Sequence, residues 1–588
     1  MTGPAPFRGL RLLREEGWHL LATFAFALVL HGLAAWPIRQ PGYMDACYYY
    51  NGAVALYEGQ GFTDAYLWNY LDDPSGIPHP SHLYWMPLPS VLTYLSFLLL
   101  GPRLRAAQVV GVVLSALLAP LAYGLSRASK GQRWQAVLAA GLVAFSGFYL
   151  VYWPAPDSFA PFGLAGSLCL LALGWGVAHR SLGAFALAGA LAGLTHLSRA
   201  DGLLLAVLAA VLPWWTFRRA GREEVNHEDT RTRRNPKNFV SWCLCGEVFS
   251  AGLREDNGEE RDGATRARVP KLGEGALAGA MVALLTYGAV MTPWLARNLH
   301  VLGQPFPATG LMTLFLRDYD DLFAYGREIS LSTYLAWGWG NILTHKAAAL
   351  WANSQTVVAV WLQVFGAPFA VVGLWRLRRN AWFQVAALYG ALLYLSMSLG
   401  FSEPGQRGAL FHSGAATLPF LYAAIGPGLE GVVLWAHRWR RHWQPEAACR
   451  VFAAGFLALS ALLSGMVYAR NVWGFGPEPQ SEPWNRRDAL YPQVEAWLAS
   501  HASPEDRILV VNPPCFYTFS RRPCLAIPNE PLPVVLEAAD RYGARFLLLE
   551  RNHPRPLDAL YAGAEEHPRL QPVVRWEGAT LFAIGGGP

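Results

Sequence analysis

Asp45 stands just beyond the first long apolar stretch of this 588-residue chain, Trp18 to Trp36, and opens the segment DACYYYNGAVALYEGQGF (Asp45 to Phe62). A carboxylate at a membrane edge is costly unless it works in a wet cavity, which makes Asp45 a candidate catalytic base. Other ionisable or polar residues gather at the same ends of the apolar runs. They are Glu58, Asp64, Asp72, Asp73, His79, His82, Asp157, Arg199, Asp201, Arg297, Asn298, Glu403, Arg407 and His412. A general base accepts a proton from an acceptor nucleophile, and cations neutralise a departing phosphate. Carboxylates facing arginines are therefore the inventory for moving a sugar off a lipid phosphate, with Asp45 as base and Arg407 or Arg297 as its cationic partner.

Each candidate has a competing structural reading. Asp45 is a preferred N-cap type for a helix beginning at Ala46, and Asp157, between Pro156 and an apolar run, has the same signature. Arg297 closes an apolar run at which Trp294 would anchor and the arginine snorkel. Tyr48, Tyr49 and Tyr50 could stack on a sugar or form an interfacial belt, and Tyr49 and Tyr84 are taken as substrate contacts. Arg199 and Asp201 read as an ion pair at a tight turn, and Glu403 as a partner of Arg407. His79 and His82 have i, i+3 spacing, but a metal there would need further ligands such as Asp72 or Asp73. No cofactor is assigned; a divalent metal is the open alternative.

The elements that must hold these residues are membrane spans. Hydrophobic residues make up 53% and charged residues 15% of the chain, against roughly 25% charged in soluble domains, and mean hydropathy is +0.21. The net charge of +6 comes from basic residues in short loops between apolar runs, which argues for the positive-inside rule and against nucleic acid. Arg8, Arg11 and Arg14 place the N-terminus in the cytoplasm and Asp45 outside, with the first apolar run retained as an anchor. The run Leu83 to Gly101 carries Pro87 and Pro89 in its first turns. As an interfacial helix it leaves the loops containing Arg127–Arg133, His179–Arg180, Arg218–Arg219, Arg376–Arg379 and Arg438–Arg441 all inside.

About eleven spans result, at 18–38, 104–126, 134–153, 158–178, 182–198, 201–217, 274–295, 354–375, 382–400, 409–430 and 449–470. They form an α-helical polytopic membrane domain over 1–473, with outer loops at 39–103 and 296–353. Gly189 and Gly193 form a GxxxG pair suited to close helix packing. From Gly221 to Arg268, 19 of 48 residues are charged with no visible period, the composition of a cytoplasmic linker, and its Cys243 and Cys245 lack the second pair a metal site needs. Residues 474–588 alternate helix and strand signals, including Glu495–Ala502, Arg507–Asn512, 531–542 and Ala544–Glu550. These predict a small extracytoplasmic α/β domain. Within it Cys515 and Cys524 are the cysteines close enough in sequence to suggest a bridge.

Asp45 after the first span, the interfacial Tyr84, Trp85 and Pro87, the PAPD at Pro154–Asp157, and PWLARNLHVLGQPFP at Pro293–Pro307 resemble the GT-C glycosyltransferases. Within that superfamily the pattern is most similar to the protein O-mannosyltransferase and aminoarabinose-transferase branch, over about residues 18–430. The resemblance implies an integral enzyme of the cell envelope, a polyprenyl- or dolichyl-phosphate sugar donor, transfer at the outer face and inversion at the anomeric carbon. The acceptor would be a glycan, lipid or protein. It also implies that Asp45 acts as base or orients the acceptor, with Asp157 nearby. Where the family often has Asp-Glu this chain has Asp45-Ala46, so that glutamate's role is absent or has passed to Glu58 or another residue. The segment Gly405 to Phe420 matches the family's late outer stretch, where a basic residue approaches the lipid phosphate, and Arg407 and His412 are its candidates. The competing class is a multi-span transporter. It would place charges near the bilayer midplane and often show duplicated halves, and this chain shows neither.

Overall fold

The computed structural model describes residues 6–232, 272–307, 309–401, 408–476 and 482–585. Arg407, Glu403, Cys243 and Cys245 lie outside the described residues. Runs rich in Leu, Ala and Gly with few charges form helices long and apolar enough to cross a membrane at Glu15–Ala35, Leu104–Ala128, Phe159–His179, Ala200–Phe217, Glu274–Leu302, Ala381–Gly400, Ala409–His437 and Pro445–Trp473. The chain is a multi-pass α-helical membrane protein with a small C-terminal sheet region.

Three further apolar helices, Leu88–Leu100, Arg133–Phe145 and Leu182–Ser198, are shorter than the ~20 residues a bilayer requires. The first is the proline-headed run read as interfacial. The expected span 134–153 ends its helix at Phe145 because Ser146 and Gly147 turn left-handed, at φ 44° and 56°. The expected span 354–375 is interrupted too. Helix Trp339–Thr356 passes through a single π turn, Val357–Trp361, and resumes as Ala367–Arg376, after Gln363 and Val364 take positive φ. The helix Leu203–Thr232 runs on into the segment read as linker.

Close packing at the GxxxG pair is explicit. A methyl group at Gly189 would lie 2.0 Å from the Ala283 carbonyl oxygen, and one at Gly193 would lie 2.8 Å from Val290. Only glycine lets Leu182–Ser198 lie this close to Leu272–Leu302.

Strands β1 (Thr63–Asp64) and β3 (His79–Pro80) pair within the 39–103 loop, and β2 (Tyr66–Leu67) of the same loop does not stay with them. It lies parallel to β5 (Cys524–Ala526) at the edge of a six-stranded sheet ordered β2-β5-β4-β6-β8-β7, where β4 is Arg507–Val510, β6 Ala544–Glu550, β7 Leu570–Trp576 and β8 Ala579–Ile584. Strands β5, β4 and β6 are parallel, and β8 and β7 add antiparallel. Helices Leu490–His501, Pro513–Ser520 and Leu532–Tyr542 connect and cover the strands, as the alternating pattern predicts.

Loop and C-terminal region share one core, in which Tyr48, Tyr49, Tyr66, Trp68 and Trp85 bury against Val494, Ile508 and Phe516. The disulfide belongs to this junction: Cys515 is bonded to Cys47, not to Cys524. Cys524 sits in β5 with its thiol directed at the Pro513 carbonyl, whereas the first turn of Pro513–Ser520 brings Cys515 against the helix Met44–Tyr57. Asn51 on that helix also donates to the Pro514 carbonyl at 2.7 Å.

Candidate functional site

The helix Met44–Tyr57 is capped by Tyr43, so Asp45 falls in its first turn and not at the cap. There the positive end of the helix favours a carboxylate. Asp157 ends the turn-rich segment before Phe159–His179 and is held by its neighbours. Its Oδ1 accepts from the Ser158 backbone N–H and, at 3.0 Å, from the Ser158 hydroxyl. Its Oδ2 accepts from the Tyr43 hydroxyl at 2.6 Å. His412, on the short helix Ala409–Ser413, stacks on Phe159 with ring centroids 4.1 Å apart. Its Nε2 then lies 3.6 Å from Asp157 and 3.9 Å from Asp45. Three residues separated by up to 367 positions in the chain (412 − 45) thus share one point.

Exposure separates their roles. The Asp157 side chain is fully buried, His412 is 10% exposed and Asp45 20%, so Asp45 is the carboxylate that an entering molecule can reach. Burial, followed by repulsion from Asp157, pushes Asp45 up to about 6, against the pull of His412 and Arg199. Burial alone would raise Asp157 as well, but hydrogen bonds from His412, Tyr43 and Ser158 together with the His412 charge hold it below the usual carboxylate range. One acid is poised to exchange a proton near neutrality, and the other is kept ionised.

Arg199 completes the cluster. It pairs with Asp201 at 3.2 Å, as the sequence suggested, and its guanidinium also lies 3.5 Å from the Ser158 hydroxyl, beside Asp157. The Tyr49 hydroxyl feels the charges of Asp157, Arg199, Asp45 and Asp201. Among the described residues it has no hydrogen-bond partner although it is buried, and the same holds for Asp201 Oδ2. Orphaned polar atoms facing a charged cluster mark where a ligand would bond.

The remaining candidates sit elsewhere. Arg297 donates to the carbonyls of Phe62 and Ser81, both at 3.1 Å, and stacks 4.8 Å from Trp294, so it fixes the 39–103 loop. Asn298 is turned to the Pro305 carbonyl. Glu58 follows the far end of the Asp45 helix, about 20 Å away at 1.5 Å per residue, and pairs with Arg521 at 3.0 Å. Tyr84 packs edge-on against Trp68, with centroids 5.2 Å apart.

The two-histidine metal reading fails on geometry. The His82 ring nitrogens lie 2.7 Å from the Ser81 hydroxyl and 2.9 Å from that of Ser90, and His79 Nε2 faces the Tyr66 carbonyl. A fitting donor set exists instead at Asp45, Asp157 and His412, whose ligand atoms lie within 4.8 Å of one another. Two carboxylates and an imidazole suit a divalent cation of the zinc or manganese class, which would supply charge neutralisation beside a phosphate.

Two members of the cluster were not picked out from the sequence as site residues, Tyr43 and Arg199. Arg199 carried a signal, an arginine between two apolar runs with no loop to expose it. Tyr43 carried none beyond adjacency to Asp45.

No known protein-family model matches the chain, and no curated protein matches its sequence. Solved structures do. ArnT from Cupriavidus metallidurans in the apo state is 13% identical, with 98% of this chain and 100% of that chain covered and a TM-score of 0.48. The same protein bound to undecaprenyl phosphate gives 13%, 97%, 100% and 0.48. The apo oligosaccharyltransferase of Archaeoglobus fulgidus gives 12%, 90%, 69% and 0.45. Likenesses of this depth leave function to be read from the residues of the site.

Proposed function

We propose that this chain is a GT-C-type glycosyltransferase of the cytoplasmic membrane, moving a sugar from a polyprenyl-phosphate donor to a hydroxyl of a glycan, lipid or protein acceptor at the outer face. The observation that carries the reading is the pair Asp45 and Asp157, meeting at His412 with opposite proton affinities and with Arg199 alongside. The acceptor oxygen attacks the anomeric carbon as the bond from that carbon to the phosphate oxygen breaks. The electron pair leaves with the phosphate and the acceptor proton passes to Asp45. One displacement inverts the anomeric centre. Asp157 stays ionised and orients His412, while Arg199 and, by the family resemblance, Arg407 offset the phosphate charge. The Tyr49 hydroxyl is placed to bond the sugar or phosphate. The C-terminal region walls the acceptor side, since its core is continuous with the Asp45 helix.

The test is release of free polyprenyl phosphate from a panel of polyprenyl-phosphate sugars by purified protein, with membrane extract as acceptor source. Wild type should release it and Asp45→Asn should fall by 10²–10⁴, the span of general-base catalysis. No release from any donor by folded wild-type protein would overturn the proposal.

A further inference from the structure

One well-formed cavity lies far from Asp45. It encloses about 550 Å³ and is lined by His179, Arg180, Trp215, Thr216, Arg379 and Trp382 among others, with no acidic residue in its wall among the described residues. The helix Phe159–His179 begins two residues after Asp157 and ends at this cavity, 21 residues on. At 1.5 Å per residue that is about 30 Å, the thickness of the hydrocarbon core. The cavity therefore opens at the opposite membrane face, among the basic loops that the positive-inside rule assigns to the cytoplasm.

A second hollow adjoins it. About 480 Å³ in volume, it is lined by Leu168, Leu171, Trp175, Gly183, Leu187 and Leu191 along the neighbouring helices. Trp175 joins the two: its ring lies 4.2 Å from that of His179 and 6.3 Å from that of Trp382, both of the basic cavity. From His179 back to Leu168 the apolar hollow descends about 16 Å into the membrane. A basic, aromatic-rimmed pocket at the interface continued by an apolar groove complements the shape and charge of a lipid with an anionic headgroup. A soluble anion would leave the groove without purpose. The cytoplasmic leaflet is also the one rich in anionic lipids.

We propose that the chain holds one anionic phospholipid from the cytoplasmic leaflet, its phosphate among His179, Arg180 and Arg379 and an acyl chain along the Trp175–Leu187 groove. The site is separate from the transfer site and stands or falls independently of it.

Native mass spectrometry of the full chain with added phosphatidylglycerol or phosphatidylcholine tests this. Wild type should retain one phosphatidylglycerol at least tenfold over phosphatidylcholine. In the double variant Arg180→Asn, Arg379→Gln that preference should fall on the order of fivefold for each arginine. Both side chains are exposed, and Asn tolerates the left-handed φ of 54° at position 180, so folding is spared. Leu187→Asn, at a position 55% exposed, should weaken lipid retention through the groove alone. Equal retention of both lipids by wild type, or unchanged preference in the double variant, would overturn the proposal. Displacement of phosphatidylglycerol by glycerophosphate or inorganic phosphate at equal concentration would assign the pocket to a soluble anion and also overturn it.

Discussion

Asp45 and Asp157 are the same residue type with opposite behaviour, and the difference lies in what each can hydrogen-bond. Asp157 accepts from Tyr43, Ser158 and the His412 side, while Asp45 has charge beside it and little to bond. A base is active when deprotonated. With Asp45 raised to about 6, kcat/KM should fall as pH drops through about 6, and Asp157, held low, should add no second limb there. An acid limb near 4 in a pH–rate profile would remove Asp45 from that role. Tyr43→Phe deletes a hydrogen bond to an ionised group, worth about 1.5–3 kcal/mol. It should lower kcat/KM by at least tenfold and shift the pH profile, where a merely structural loss would lower activity without shifting it. Arg199→Lys keeps the charge and loses the planar fork. Its expected signature is a raised donor KM, measured against Arg199→Gln, which should be worse.

Helices were the legible scale. Apolar runs of about twenty residues declare themselves because lipid forces every backbone group to bond within its own segment. Leu88–Leu100 reads as interfacial because Pro87 and Pro89 stand at its start and a span there would violate the charge bias, and its helix is short. Two segments read as spans, 134–153 and 354–375, end or break where non-glycine residues take positive φ. That is a tertiary compromise with no composition signal. Gly189 belongs to this scale as well. A methyl there must displace a backbone oxygen 2.0 Å away, whereas one at Gly455 meets nothing within 4 Å. Overpacking of this kind costs about 1–3 kcal/mol, so Gly189→Ala should lower the thermal midpoint and, because Arg199 caps that helix, reduce activity. Gly455→Ala should be neutral or slightly stabilising. Equal midpoints for the two variants would contradict the close approach.

Across the whole molecule, the 39–103 loop and the C-terminal region behave as one body. A strand of the loop edges the sheet, a disulfide spans a sequence separation of 468, and the Tyr48–Trp85 cluster is capped by Phe516 and Ile508. Cys47→Ala should destabilise this unit by about 2–4 kcal/mol, read as a lower midpoint that reduction of the wild type reproduces. Removing residues 474–588 would uncover that aromatic core. The expected product is an aggregating, inactive protein, checked by size-exclusion chromatography.

Membrane insertion, the spans near twenty residues and the β4 and β6 strands were written in local pattern, because burial in lipid or in a sheet acts on each short segment by itself. Asp45, Asp157 and His412 were nameable one at a time from charge at the ends of apolar runs. Their meeting was not, since contact across 367 positions depends on how helices pack and not on any spacing. For the same reason Cys515 found Cys47 and not its neighbour in sequence, Arg297 was spent on loop carbonyls, and Arg199 came to stand beside Asp157. Local composition decides what a segment buries; only three-dimensional packing decides which charges it buries them against.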